Sequence, residues 1–165
     1  ITPNNPCTID VKQTANCMLI VNSVSRPVTL SIKNVTAPTD VSTLPGTYKL
    51  LSNYIQIVSD VEDITTNVTI RIYYTTEQLS ALGLDENNLK IFYWNGTTNK
   101  WTAAVTQVNT SENYAWATVD HFSTWALLGQ PVPSMWEQPW FLITTAAIVI
   151  IIIIAAFLFF RKKKP

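Results

Sequence analysis

The chain has a single histidine, His121, so any Ser-His-Asp arrangement would have to be built on it. In an extended segment the neighbouring Asp120 would point to the opposite face, because successive strand side chains alternate. That geometry makes His121 a packing or surface residue. Two acidic groups offer hard oxygen ligands of the kind that bind Ca²⁺ outside cells. One is Asp60, Glu62 and Asp63; the other is Asp85 and Glu86 with Asn87 and Asn88. Neither follows a calcium-loop spacing, and solvated turns account for both. The sequence has no glycine-rich phosphate loop, CxxC pair, HExxH motif or paired histidines. The expectation is a chain that is not an enzyme and takes no metal or cofactor.

Cys7 and Cys17 are the only cysteines, ten positions apart, with Lys12 to Asn16 between them as a turn. A tetrahedral metal site would need further Cys or His ligands. A disulfide across an N-terminal hairpin suits an exported domain instead, and so short a loop would contribute roughly 2 to 3 kcal/mol. Asn-X-Ser/Thr sequons begin at Asn34, Asn67, Asn95 and Asn109, none with Pro in the middle. Asn95 and Asn109 fall at expected turns, and at least two of the four are expected to carry N-linked glycans. Ile1 in place of Met fits removal of a secretory signal peptide, or the start of a fragment.

Residues Phe141 to Phe160 have only Thr144 and Thr145 as polar members. At about 1.5 Å per residue they reach across a hydrocarbon core of roughly 30 Å, so a transmembrane helix is expected over 141–160. Arg161, Lys162, Lys163 and Lys164 follow directly, which fits the positive-inside bias, and Trp136 and Trp140 fit the aromatic belt on the outer side. The N-terminus is then extracellular and the 161–165 tail cytoplasmic: a single-pass type I topology at the cell membrane, with lipid as one partner. Lys162 and Lys163 also stand where a dilysine retrieval signal would, although stop-transfer explains the same charges. Without the tail, seven basic residues face eleven acidic ones, and all the acidic residues precede Trp140. No basic face is left to neutralise phosphates, which argues against a nucleic-acid partner.

The elements that must position these residues read as an antiparallel β-fold. Short runs rich in Val, Ile, Thr and Tyr are separated by Asn, Pro, Gly and Asp. Strands are expected near 7–12, 17–23, 28–34, 53–59, 67–74, 89–94, 100–106, 113–119 and 123–128, giving an all-β, antiparallel sandwich, Ig-like or related, over 1–129. Val28, Leu30 and Ile32, then Val68, Ile70 and Ile72, then Leu89, Ile91 and Tyr93 alternate and should face a core. Asn95-Gly96 should form a hairpin turn, with Gly and Asn accepting positive φ, and Asn109 to Asn113 a second turn. Thr75 and Gln78 have capping-box spacing for a short helix over 75–82 that Gly83 can end. Pro131, Pro133 and Pro139 stiffen 130–140 into a juxtamembrane stalk. No repeat or heptad pattern is visible.

Phe122 and Trp125 are large enough to close one end of such a sandwich, with Ser123 or Thr124 bonding backbone groups at the corner. Tyr93, Trp94, Trp101, Tyr114, Trp116 and Trp125 offer the rival reading of a sugar-stacking platform.

Ile70-Arg71-Ile72-Tyr73-Tyr74, Leu89-Lys90-Ile91-Phe92-Tyr93-Trp94, Trp101 and ATVDHFSTWALLG over 117–129 together resemble a module of archaeal cell-surface proteins, the PGF-pre-PGF domain. The similarity covers about residues 20–129 and is strongest in the last 60. Related Phe-Ser-X-aromatic endings occur in bacterial envelope proteins. The resemblance implies a membrane-proximal β-sandwich without an active site. The family's tripeptide sorting signal is missing here, and a permanent helix and basic tail stand in its place.

These features lead to the expectation of a non-catalytic envelope glycoprotein, associated with a surface layer or another envelope assembly through protein partners. Two other readings fit the same residues. One is an accessory single-span subunit of a membrane enzyme or transporter complex, although Ile148 to Ile154 has no GxxxG-type interface. The other is a carbohydrate-binding module.

Overall fold

Val68, Ile70 and Ile72 are fully buried, while the alternating Asn67, Thr69 and Arg71 reach the surface. A period of two with one face on a core makes a strand. The computed structural model describes residues 1–36, 44–62, 64–133, 147–148 and 150–154. Among these, eleven strands form two antiparallel sheets.

In chain order the strands are β1 (Cys7–Val11), β2 (Cys17–Val24), β3 (Leu30–Val35), β4 (Lys49–Leu50), β5 (Tyr54–Ser59), β6 (Thr66–Tyr73), β7 (Lys90–Asn95), β8 (Lys100–Ala103), β9 (Gln107–Asn109), β10 (Tyr114–Val119) and β11 (Thr124–Gly129). Sheet A runs β1-β2-β6-β10-β9, and sheet B runs β3-β5-β11-β7-β8 with β4 also on β11. The protein domain is therefore an antiparallel β-sandwich. Leu19, Val21, Val68, Ile70, Ile72, Ala115 and Ala117 from sheet A meet Ile55, Ile57, Ile91, Trp125 and Leu127 from sheet B in one core.

The last strand, β11, is the central strand of sheet B and is buried from Thr124 to Gly129. β7 lies along one side of it. β5 and β4 share the other side, with the Leu51 N–H bridging them onto the Leu127 carbonyl at 3.0 Å. Both faces of β11 are covered because sheet B carries a second apolar cluster on its outer face. Phe92, Trp101, Ala126 and Leu128 form it, with Tyr48, Tyr54 and Trp94 packed against them. Gly129 ends the strand in a tight place: an added Cβ would sit 3.0 Å from Leu84 Cδ1 and from Leu89 Cδ2, so both leucines would have to give way.

All nine expected strands are present. β4 is a two-residue addition, and the strand expected over 100–106 stops at Ala103, after which the chain crosses to sheet A and forms β9. Between β6 and β7 lies α2 (Thr76–Leu82), preceded in the chain by the one-turn α1 (Lys12–Ala15). The Thr75–Gln78 capping box is formed in both directions, at 3.2 and 2.9 Å. Gly83, at φ 62, closes the helix.

The turns differ from expectation in one respect. The hairpin expected at Asn95-Gly96 is formed, with Asn95 paired to Lys100 around a four-residue loop, but Asn99, not Asn95 or Gly96, takes positive φ (50°). The β9–β10 loop is built the same way, with Asn113 at φ 54°. In both loops the leading Asn side chain accepts two backbone N–H groups, which stabilises a four-residue connection.

The expected Cys7–Cys17 disulfide is not formed: both thiols are free. The hairpin turn is off-centre between them, since Asn16 carries the left-handed residue and Val11 pairs with Cys17. Cys7 lies opposite Val21, four positions along β2 from Cys17, which is roughly 13 Å at the rise of a strand. A disulfide spans Cα atoms no more than about 7 Å apart.

The chain divides into two compact units, Ile1–Pro131 and Val132–Pro165. The first is the sandwich. In the second, Ala147, Ile148 and Ile150 to Ile154 are helical. No helix among the described residues is long and apolar enough to cross a membrane. Most of the span expected over 141–160, together with Trp136, Trp140 and Arg161 to Lys164, lies outside the described residues.

Candidate functional site

After β10 the chain bends at Asp120 and His121, re-enters sheet B at Thr124, and so builds a corner against the end of β7. An open cleft of about 890 Å³ lies there, lined by β5 from Gln56 to Ser59, by Tyr93 to Thr97, and by the corner itself.

The bend overturns the expectation that Asp120 and His121 face opposite ways. His121 Nδ1 lies 2.7 Å from Asp120 Oδ1. An ionised carboxylate only accepts, so Nδ1 carries the proton. This hydrogen bond is the main cause holding the Asp120 carboxyl below its ordinary range. The imidazole packs edge-on against Tyr93, centroids 4.5 Å apart, and lies 5.5 Å from the fully buried Trp125. Nε2 is buried and has no hydrogen-bond partner among the described residues. Ser123, the nearest serine in sequence, donates its hydroxyl to the Trp94 carbonyl at 2.7 Å. The Ile57 N–H donates to the Ser123 carbonyl at 2.9 Å. A nucleophilic triad would need a hydroxyl on Nε2; these residues join β7, β11 and β5 at the corner instead.

The six aromatics considered as a stacking platform are divided among three places. Tyr93 and Trp125 stand on the core side of sheet B, and Trp94 and Trp101 on its outer face. Tyr114 and Trp116 lie on the outer face of sheet A, opposite Tyr73 and Arg71. Only Tyr93 and Trp94 line the cleft. Trp125 closes this end of the core, with Phe122 half-buried beside it.

The acidic groups are occupied by structural bonds. Asp60 Oδ1 accepts the Thr29 N–H at 2.8 Å, which lowers its pKa. Asp85 accepts from the Asn87 backbone at 3.0 Å and from Asn88 Nδ2 at 2.7 Å, and Glu86 accepts the Tyr74 hydroxyl at 2.8 Å. Burial, reinforced by that carboxylate, pushes the Tyr74 hydroxyl pKa up. Asp63 lies outside the described residues. Among the described residues no three His, Cys, Asp or Glu side chains are grouped to hold a metal.

The sequons differ in how their amides are held. Asn34 Nδ2 donates to the Thr14 carbonyl at 2.8 Å, and Asn109 Nδ2 to the Tyr114 hydroxyl at 3.1 Å. Asn67, exposed on β6, accepts from Asn22 Nδ2 at 3.0 Å through its oxygen. Asn95 likewise uses only its oxygen, accepting the N–H groups of Thr97 and Thr98 at 3.0 and 3.1 Å. The amide nitrogens of Asn67 and Asn95 are thus uncommitted among the described residues. Cys17 is buried, and desolvation followed by the Asp10 charge raises its thiol pKa to about 12.

Fold and corner together define an antiparallel β-sandwich with an open cleft at one end. Comparison with protein-family models and with curated protein sequences returns no match.

Proposed function

We propose that the chain is a membrane-anchored envelope glycoprotein whose sandwich serves, without catalysis, as a structural or protein-interaction module at the outer membrane surface. The observation that carries the reading is the helical stretch of the second unit. Ile148 and Ile150 to Ile154 are each more than half exposed. Five successive helical positions at about 100° apiece cover every side of a helix, so this surface is apolar all round. A helix apolar on every side must be buried, either in the core of a large protein or in lipid, and the surrounding 141–160 sequence has the length to span a bilayer.

Three further features support the reading. The sequons lie in the sandwich, the basic cluster follows the apolar run, and the resemblance to membrane-proximal modules of archaeal surface proteins points the same way. The Ig-like relationship expected for the sandwich belongs to this proposal too.

Alkaline carbonate extraction of membranes tests the anchorage. The full chain should stay in the pellet, and release into the supernatant overturns the reading. Mass spectrometry of native complexes tests the role. Recovery with envelope or surface-layer proteins is expected, whereas stoichiometric recovery with a redox or transport enzyme replaces this role with that of an accessory subunit.

A further inference from the structure

We propose that the cleft beside Asn95 is the seat of the saccharide attached to that same asparagine, so that the first sugars of this glycan pack onto the protein as part of its folded surface. The proposal rests on the glycoprotein reading above.

Asn95 is the last residue of β7 and stands two positions after Tyr93, on the same face of the strand. Both line the cleft. The Asn95 carboxamide is held by Thr97 and Thr98 through its oxygen, which fixes the amide plane and leaves Nδ2 as the uncommitted atom. Attachment joins Nδ2 to the anomeric carbon of an oligosaccharide delivered on a lipid phosphate. The C–N bond forms as the sugar–phosphate C–O bond breaks, the phosphate leaves with the electron pair, and one Nδ2 proton is lost to the transferase's base. The remaining Nδ2–H is still a donor.

The walls suit a sugar ring, which has an apolar C–H face and a rim of hydroxyls. Tyr93 and His121, packed edge to face at 4.5 Å, form an aromatic wall, and His121 keeps 40 % of its side chain exposed. Gln56 and Asp120 offer amide and carboxylate groups, and Asp120 Oδ1 alone is taken by His121. About 890 Å³ lies within the range of small-ligand sites, about 300 to 1,000 Å³, and has room for more than one ring. A covalent tether gives a high effective concentration, so weak stacking suffices to fill the cleft. No other sequon is so placed: Asn67 lies on the exposed surface of sheet A, and Asn34 and Asn109 direct Nδ2 into bonds of their own.

The test uses the full chain purified from membranes of cells that glycosylate it, with glycopeptide mass spectrometry to read each sequon. Amide hydrogen exchange over 120–124 is compared among wild type, Thr97→Ala, which removes the sequon but keeps the backbone N–H that Asn95 accepts, and Thr97→Ser, which keeps the sequon. Asn95 should be occupied in wild type and Thr97→Ser. Exchange over 120–124 should rise about tenfold in Thr97→Ala alone, with the amides of β6 unchanged as a check on folding. Thr69→Ala, which removes the Asn67 sequon, should leave 120–124 unaffected. Occupancy of Asn95 without protection overturns the docking and leaves the glycoprotein reading standing. An empty Asn95 beside other occupied sequons overturns it equally, and four empty sequons overturn both. Restoration of protection in Thr97→Ala by the released free glycan at equimolar concentration would make the cleft a site for other molecules' sugars, overturning the intramolecular assignment.

Discussion

The Ser123 hydroxyl donates to the main-chain carbonyl of Trp94 at 2.7 Å, joining positions 29 apart in sequence. The bond is half-buried and short, and it ties the corner after β10 to the end of β7. Ser123→Ala leaves that carbonyl without its partner and should cost about 1 to 2 kcal/mol. Thermal unfolding of the full chain in detergent should register this as a fall of about 2 to 8 °C.

Trp125 is fully buried, yet its Nε1–H has no partner among the described residues. Its value is therefore volume rather than hydrogen bonding. Trp125→Ala should cost about 3 to 5 kcal/mol through the cavity it leaves. Trp125→Phe should lose far less, because it also removes an unsatisfied donor. Denaturation midpoints of the two variants check the order.

Gly129 admits no Cβ without displacing Leu84 and Leu89. Gly129→Ala should destabilise by about 1 to 3 kcal/mol through overpacking, measurable in the same assay. Pairing the change with Leu84→Val should recover part of the loss.

The thiols should behave as two independent groups. Cys17, buried and with its pKa pushed up to about 12, stays a thiol near neutrality and should resist alkylation until the domain unfolds. Cys7 is half-buried and should react first. Intact-mass measurement without reductant should show both thiol hydrogens retained.

Asp60 provides the expected acid sensitivity. Its folded-state pKa is lowered by the hydrogen bond from Thr29, so its contribution is complete above the ordinary carboxylate range near about 4 and is lost as pH falls through the lower folded value. The group is solvent-exposed, so the effect is small. Asp60→Asn should flatten the acid limb of a stability–pH curve while leaving the neutral region nearly unchanged.

The sandwich was legible because its core strands obey the period-two rule, as in Val68, Ile70 and Ile72, where one face meets water. The rule assumes a bare outer face, so it missed the second cluster around Trp101 and Leu128, for which strands bury both sides. β4 and β9 are too short to show any period. The disulfide expectation failed on register, because a spacing of ten says nothing about where between the cysteines the turn is centred. The cleft was hidden for a related reason. His121 and Asp120 meet only because alternation ends at Val119 and the chain bends, and the sequence signal for that bend is slight: two adjacent polar residues after a regular strand.

The placement of β11 has a mechanical consequence. It is the strand whose continuation leads through Pro131 to the rest of the chain, and it is hydrogen-bonded on both sides. Tension arriving along the backbone from that direction would not meet an edge strand that peels away one bond at a time. It would be shared at once among the bonds to β7, β5 and β4. On the proposed anchorage, β11 would carry that load into the middle of sheet B rather than to its edge.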